Sequence, residues 1–286
     1  MQNRPLRSVL YVPASNAKAL AKLPSLLMDA VIVDLEDAVH PDAKADVRAT
    51  IIAGLQEWTP RKPLLALRIN NLDGPFGADD LSAAYQIKPD AIVLPKCETP
   101  QQIIALSDAM RDLEMDERVA IWAMIETPRA LFNSGAIAEL GHHHSNRLNC
   151  FVAGTNDLMK ETGVRDLAEM QPWLMQIVLA ARAGGLSVLD GVHNDIADSD
   201  GLVNACHLAR NRGFDGKTLI HPSQIEPANR IFKPDETEVR AAQAIVAAFA
   251  LPENANKGVI GLDGKMVERL HLAQAQTLLL KFQQTH

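Results

Sequence analysis

Between residues 8 and 231, a short apolar run rich in β-branched residues is followed eight times by a stretch with helical periodicity, and this repeat restricts the fold more than any other feature. The spacing predicts strands at 8–13, 30–35, 64–69, 91–94, 119–125, 148–153, 186–189 and 217–220. Helices are predicted at 16–28, 42–57, 77–88, 100–114, 128–140, 166–183, 200–212 and 223–231. Eight β-then-α units in about 230 residues have the count and length of an α/β fold of the (β/α)8 barrel type. A doubly wound sheet would want a Gly-rich first turn, whereas the first strand ends in Val12-Pro13-Ala14-Ser15-Asn16, with no glycine. Beyond Phe232-Lys233-Pro234 two more helices are predicted, at 236–250 and 267–283, flanking a Gly-rich stretch at 257–265. A barrel closed by its eighth unit has no place for them. Residues 1–231 are therefore expected to form the barrel, and 232–286 a C-terminal helical hairpin that lies outside it and contacts a neighbouring subunit.

Composition narrows the partners. Hydrophobic residues make up 47% and charged residues 22%, which excludes a disordered chain, a coiled coil and a small disulfide scaffold. Lys plus Arg number 28 against 35 Asp plus Glu, a net charge of -7, and no basic run exists to track phosphates, so no nucleic-acid partner is expected. Charges interrupt every apolar run well short of the roughly 20 residues of a membrane span, and Met1-Gln2-Asn3-Arg4-Pro5 lacks a signal-type apolar core. No membrane association is expected, and the expected compartment is the cytoplasm. Cys97, Cys150 and Cys206, odd in number and without metal-type spacing, fit a reducing environment.

In such a barrel the strand C-termini share one face, which gathers polar residues far apart in sequence. Here the strands run into Asp34-Leu35-Glu36-Asp37, Arg68-Ile69-Asn70-Asn71, Pro95-Lys96-Cys97-Glu98, Glu126-Thr127-Pro128-Arg129, Gly154-Thr155-Asn156-Asp157, Asp190-Gly191-Val192-His193 and His221-Pro222-Ser223-Gln224. Carboxylates crowded into one mouth repel one another unless a cation joins them, and an oxygen-dominated set without a Cys/His cluster favours Mg²⁺ over zinc. Thr127 with Pro128 makes a helix start, which frees Glu126 to be a ligand. Asp157 has two readings, metal ligand or cap of a helix beginning at Leu158. Glu36 and Asp37 either serve the site or solvate a loop. Arg68 either clamps a substrate carboxylate with its planar fork or pairs with a mouth carboxylate. His142-His143-His144 is expected to face solvent, and Gly216-Lys217-Thr218 is not a phosphate loop, because Asn211 stands where glycine is needed and a strand follows. No G-x-S-x-G, H-E-x-x-H or C-x-x-C is present.

An ordered set of motifs goes further: Arg7-Ser8-Val9-Leu10-Tyr11-Val12-Pro13, Asp34-Leu35-Glu36-Asp37-Ala38-Val39, Arg68-Ile69-Asn70, Leu94-Pro95-Lys96, Ile125-Glu126-Thr127, Gly213-Phe214-Asp215-Gly216-Lys217, Ile220-His221-Pro222-Ser223-Gln224-Ile225 and Gly264-Lys265-Met266-Val267. Together they resemble the citrate lyase beta subunit-like family of CoA-ester lyases, which includes malyl-CoA and citramalyl-CoA lyases, over nearly the whole chain. The resemblance implies a Mg²⁺ ion held by Glu126 and Asp157, Arg68 on the substrate, and Glu36 and Asp37 ordering water on the metal. Asn70, Lys96 and His221 are expected to bind substrate. It also implies a homotrimer or an assembly of trimers whose C-terminal segment covers a neighbour's active site. Where the family has Lys-Met-Ile-Asp, this chain has Lys265-Met266-Val267-Glu268, and the resemblance makes Glu268 the acid/base. The activity implied is Mg²⁺-dependent cleavage of a 3-hydroxy-3-carboxyacyl-CoA thioester, (S)-citramalyl-CoA or malyl-CoA, to acetyl-CoA and pyruvate or glyoxylate. The alternatives are cleavage of a citryl group on an acyl-carrier protein and a non-catalytic acyl-CoA-binding barrel.

Overall fold

The computed structural model describes residues 4–55 and 63–284. Strands β1 (Ser8–Pro13), β2 (Ala30–Asp34), β3 (Leu64–Arg68), β4 (Ala91–Leu94), β5 (Ala120–Ile125), β6 (Leu148–Ala153), β7 (Ser187–Asp190) and β8 (Gly216–Leu219) close into a parallel barrel in chain order, β8 pairing back onto β1. These strands are apolar almost throughout because both of their faces are buried. Alternation sends Val9, Ile32, Ala66, Val93, Trp122, Val152 and Leu189 inward to fill the barrel. Val31, Leu67, Ile92, Phe151 and Val188 point outward, beneath the helices.

The barrel helices are α1 (Ala17–Leu20), α2 (Lys44–Leu55), α3 (Gly77–Ile87), α4 (Pro100–Asp112), α5 (Pro128–Ala138), α6 (Thr155–Thr162), α7 (Gln171–Ala183), α8 (Ser199–Arg212) and α9 (Ile225–Phe232). Two departures from the predicted pattern have local causes. The helix expected at 16–28 is only α1 plus a 3-10 turn at Leu23–Ser25, because Pro24 cannot continue an α-helical ladder. The single helix expected at 166–183 is preceded by α6, which ends where Gly163 turns left-handed at φ 75°. Positions 56 and 57 of the helix predicted at 42–57 lie outside the described residues.

Past the barrel, α10 (Glu236–Ala250) is followed by strands β9 (Val259–Leu262) and β10 (Lys265–Glu268) and by α11 (Arg269–Gln284). The Gly-rich stretch is thus an antiparallel hairpin and not a bare connection between helices. Asp263 and Gly264, both at positive φ (50° and 74°), form its two-residue turn. Phe249, Ile260 and Val267 form a small core of their own. Lys281 of α11 reaches Asp215, in the turn entering β8, at 3.0 Å, which anchors this helix at the N-terminal end of the barrel. Among the described residues no helix is long and apolar enough to cross a membrane. All three cysteines are free and buried. Burial pushes the thiols up, to about 12 for Cys97 and about 11 for Cys206, with Cys150 well above its ordinary value.

Candidate active site

At the C-terminal ends of the strands a cavity of about 450 Å³ opens. Asp34, Asp37, Arg68, Glu126 and Asp157 line it, as do Tyr11 and the apolar side chains of Pro13, Ala38, Met124, Val192 and Ile220. Glu126 projects inward just past β5 and is fully buried. Its Oε1 accepts the backbone N–H of Lys96 at 2.7 Å, whereas its Oε2 is buried with no hydrogen-bond partner. Burial is the main reason its carboxyl is pushed up to about 7, with the Glu36 and Asp157 charges adding to the rise and the Lys96 amide and Arg68 opposing it. The backbone leaves room for this carboxylate. A Cβ on Gly154 would sit 2.2 Å from Glu126 Cβ and 2.5 Å from Oε2, so the residue just past β6 must be glycine.

Asp157 lies in the first turn of α6, where Gly154 and not Asp157 occupies the cap position, so the reading of Asp157 as a cap for a helix starting at Leu158 does not hold. It faces the same cavity as Glu126. A buried, unpartnered carboxylate oxygen beside a second carboxylate suits a hard cation, and a Mg²⁺ site commonly uses one or two carboxylates and leaves its other positions to water and substrate. The residues present fit that group. Among the described residues, no cluster of three or more His, Cys, Asp or Glu side chains is arranged to hold a metal, so such an ion would rest on these two carboxylates.

Arg68, at the end of β3, donates Nε to Asp34 Oδ1 at 2.7 Å and Nη2 to Asp34 Oδ2 at 2.6 Å. Of the two readings of Arg68, the structure shows the pairing with a mouth carboxylate: Asp34 occupies the two-pronged edge, and Nη1, outside that pair, donates to Met124 Sδ at 3.8 Å. Nη1 lies 3.0 Å from Glu36 Oε2, and the guanidinium sits 5.2 Å over the Tyr11 ring. Burial pulls Arg68 down, but the hydrogen bonds and charge of Asp34 hold its proton more firmly than usual. Glu36 is buried and also paired with Lys96 Nζ, and burial outweighs these cations and raises its carboxyl above the ordinary range. Lys96 stands at φ 47°, an uncommon conformation for a non-glycine residue. Partial burial lowers its ammonium pKa, and the hydrogen bond to Glu36 reverses the sign. Asp37 is exposed at the rim, 3.7 Å from Lys96 Nζ.

The remaining sequence-derived candidates lie apart. Asn70 donates its side-chain amide to Leu35 O at 3.0 Å and to Asp80 Oδ2 at 2.5 Å. His221 is exposed, with Nδ1 2.8 Å from Ser223 Oγ, and neither residue lines the cavity. Glu268 ends β10, its backbone N–H donating to His271 Nδ1 at 2.9 Å, and it lies outside the cavity lining of its own chain. The run His142-His143-His144 is exposed, as its sequence implied. Asp34 and Tyr11 are the site residues that sequence reasoning did not single out.

Barrels of this class carry their active site at the C-terminal face, which is where the carboxylates and Arg68 stand here. The profile of the HpcH/HpaI aldolase/citrate lyase family matches residues 7–222, and the chain belongs to that family. It is 42% identical over 283 residues to the (3S)-malyl-CoA thioesterase of Cereibacter sphaeroides, which covers 98% of this chain and 95% of that protein. It is 31% identical over 288 residues to the mitochondrial citramalyl-CoA lyase of Rattus norvegicus, covering 96% and 85% respectively. The crystal structure of the CitE protein of Mycobacterium tuberculosis with magnesium, acetoacetate and coenzyme A superposes with a TM-score of 0.78 at 27% identity, over 99% of this chain and 100% of that one.

Proposed function

We propose that the chain is a Mg²⁺-dependent carbon–carbon lyase that cleaves a 3-hydroxy-3-carboxyacyl-CoA thioester, (S)-citramalyl-CoA or malyl-CoA, to acetyl-CoA and pyruvate or glyoxylate. The observation that carries this reading is the unpartnered Glu126 Oε2, aimed with Asp157 into a cavity that also holds Arg68. Glu126 and Asp157 would hold the ion, and when bound it supplies positive charge against the substrate's carboxylate and hydroxyl oxygens. In the cleavage the substrate hydroxyl gives its proton to a water molecule at the mouth and becomes a carbonyl. The carbon–carbon bond breaks, and its electron pair passes to the α-carbon of the thioester, which then takes up a proton. Arg68 Nη1 is the donor for the thioester oxygen as negative charge develops there. Glu36 and Asp37 would order water near the ion, Asp37 from the exposed rim and Glu36 from its buried place beside Arg68 and Lys96. The apolar wall of Met124, Val192 and Ile220 limits solvent access to the carbanionic carbon. Glu268, supplied by a neighbouring subunit of a homotrimer or an assembly of trimers, is the proton donor to that carbon.

A second reading, hydrolysis of the same thioester, is favoured by the 42% relative named as a malyl-CoA thioesterase. There water adds to the thioester carbonyl and CoA thiolate leaves. Incubation of the purified protein alone with malyl-CoA and citramalyl-CoA, with Mg²⁺ or with EDTA, tests both readings. Lyase action yields acetyl-CoA and a 2-oxo acid, and hydrolysis yields free CoA and the intact hydroxy-diacid. Turnover undiminished by EDTA would overturn the assignment of the metal.

A further inference from the structure

Asp34 ends β2, and the strand register sets it directly beside Arg68, the end of β3. Asp34 is 3% exposed, and each oxygen of its carboxylate serves two donors. Oδ1 accepts Arg68 Nε at 2.7 Å and the backbone N–H of Glu36 at 2.9 Å. Oδ2 accepts Arg68 Nη2 at 2.6 Å and the backbone N–H of Ala38 at 3.3 Å. One side chain thus ties the guanidinium to the backbone of the loop that presents Glu36 and Asp37. The carbonyls of that loop are held separately, since the buried Lys44 Nζ donates to Leu35 O and Glu36 O, each at 2.7 Å. An arginine that needed only a counter-ion would not require its partner also to organise a loop.

Resting on the functional reading above, we propose that Asp34 is the positioning residue of this site. It holds Arg68 so that Nη1 lies against Met124 Sδ of the cavity wall at 3.8 Å and 3.0 Å from Glu36 Oε2, it fixes the 35–38 turn, and it acts on the substrate only through these groups. Because both of its oxygens are committed, neither a change of charge nor a change of length leaves the arrangement intact. A displacement of about 1 Å in such a group can cost on the order of 100-fold in rate.

The test measures kcat and KM with whichever thioester the wild-type protein turns over, for Asp34→Asn, Asp34→Glu, Arg68→Lys and the double variant Asp34→Asn/Arg68→Lys. Asp34→Glu keeps a negative charge opposite Arg68 and so protects the fold, which circular dichroism checks. Both Asp34 variants should lose on the order of 100-fold in kcat while KM moves less than about threefold. The double variant should lose less than the product of the single losses, because the group that Asp34 aims is already altered. A purely structural role would lower the melting temperature and leave kcat per folded molecule unchanged. Folded Asp34 variants with kcat within about threefold of wild type, or losses that multiply in full, overturn the inference. A wild-type protein that turns over none of the thioesters instead sinks the functional reading, and the inference falls with it.

Discussion

Glu126 carries the strongest residue-scale consequence. Its carboxyl has moved from an ordinary 4.5 up to about 7, so the metal-free folded chain binds this proton more tightly than the unfolded chain does. The stability it contributes is full below about pH 4.5 and is lost as the pH rises through about 7. Glu126→Gln stays neutral throughout. In EDTA at about pH 8 it should therefore melt higher than wild type, by roughly 5 °C, with the difference vanishing near pH 4.5. The same variant should lose Mg²⁺-dependent turnover and the Mg²⁺-induced rise in melting temperature. Equal melting of the two proteins at pH 8 in EDTA would contradict the buried, unpaired carboxylate. At this scale the sequence showed which residues stand at the mouth, because each ends a predicted strand. It did not show that Asp34 fills the fork of Arg68, because that contact depends on the register between β2 and β3. Nor did it show that Gly154 makes room for Glu126, since a missing Cβ has meaning only once its neighbour is placed.

Among the elements, the barrel strands were legible because burial of both faces makes them apolar runs between polar segments. The hairpin was missed, although its signal was present: Asp263-Gly264 is a dipeptide that favours a type I′ turn. The flanking Val259–Leu262 and Lys265–Glu268 carry too little alternation to read as strands beside two strong helices. Eight-residue α6 was absent from the periodic pattern, and was legible only as a helix beginning at Leu158, because its mean hydropathy is low and its buried face is only Thr155 and Leu158. The hairpin yields a separable prediction. Gly264 at φ 74° strains any side chain, so Gly264→Val should cost about 1 kcal/mol or more within the extension. Because the extension has its own small core, the main thermal transition of the barrel should move little. Activity should fall further than stability, because the turn sets where Glu268 sits. A variant that loses barrel stability and activity in proportion would show that the hairpin is not an independent element.

For the whole molecule, the decisive geometry is that the cavity opens at one end of the barrel while α11 is tied to Asp215 at the other. A chain built this way is poorly placed to close its own mouth with Glu268, which is why the proposed assembly brings that residue from a neighbour. Glu268→Ala and Glu126→Gln subunits, each inactive alone, should regain part of wild-type turnover when mixed under conditions of proven exchange. Exchange without recovery would remove the trans role of Glu268. One more property follows from where the three thiols lie. Cys150 is inside the barrel, whereas Cys97, just past β4, and Cys206, on the inner face of α8, lie in the layer between the barrel and its helices, all buried and all disfavoured as thiolates. An alkylating reagent can reach each of them only when its own layer of the molecule opens. The order in which they are labelled would be a record of how the barrel comes apart: the helix layer at its β4 end and at α8, and the interior, each with its own clock.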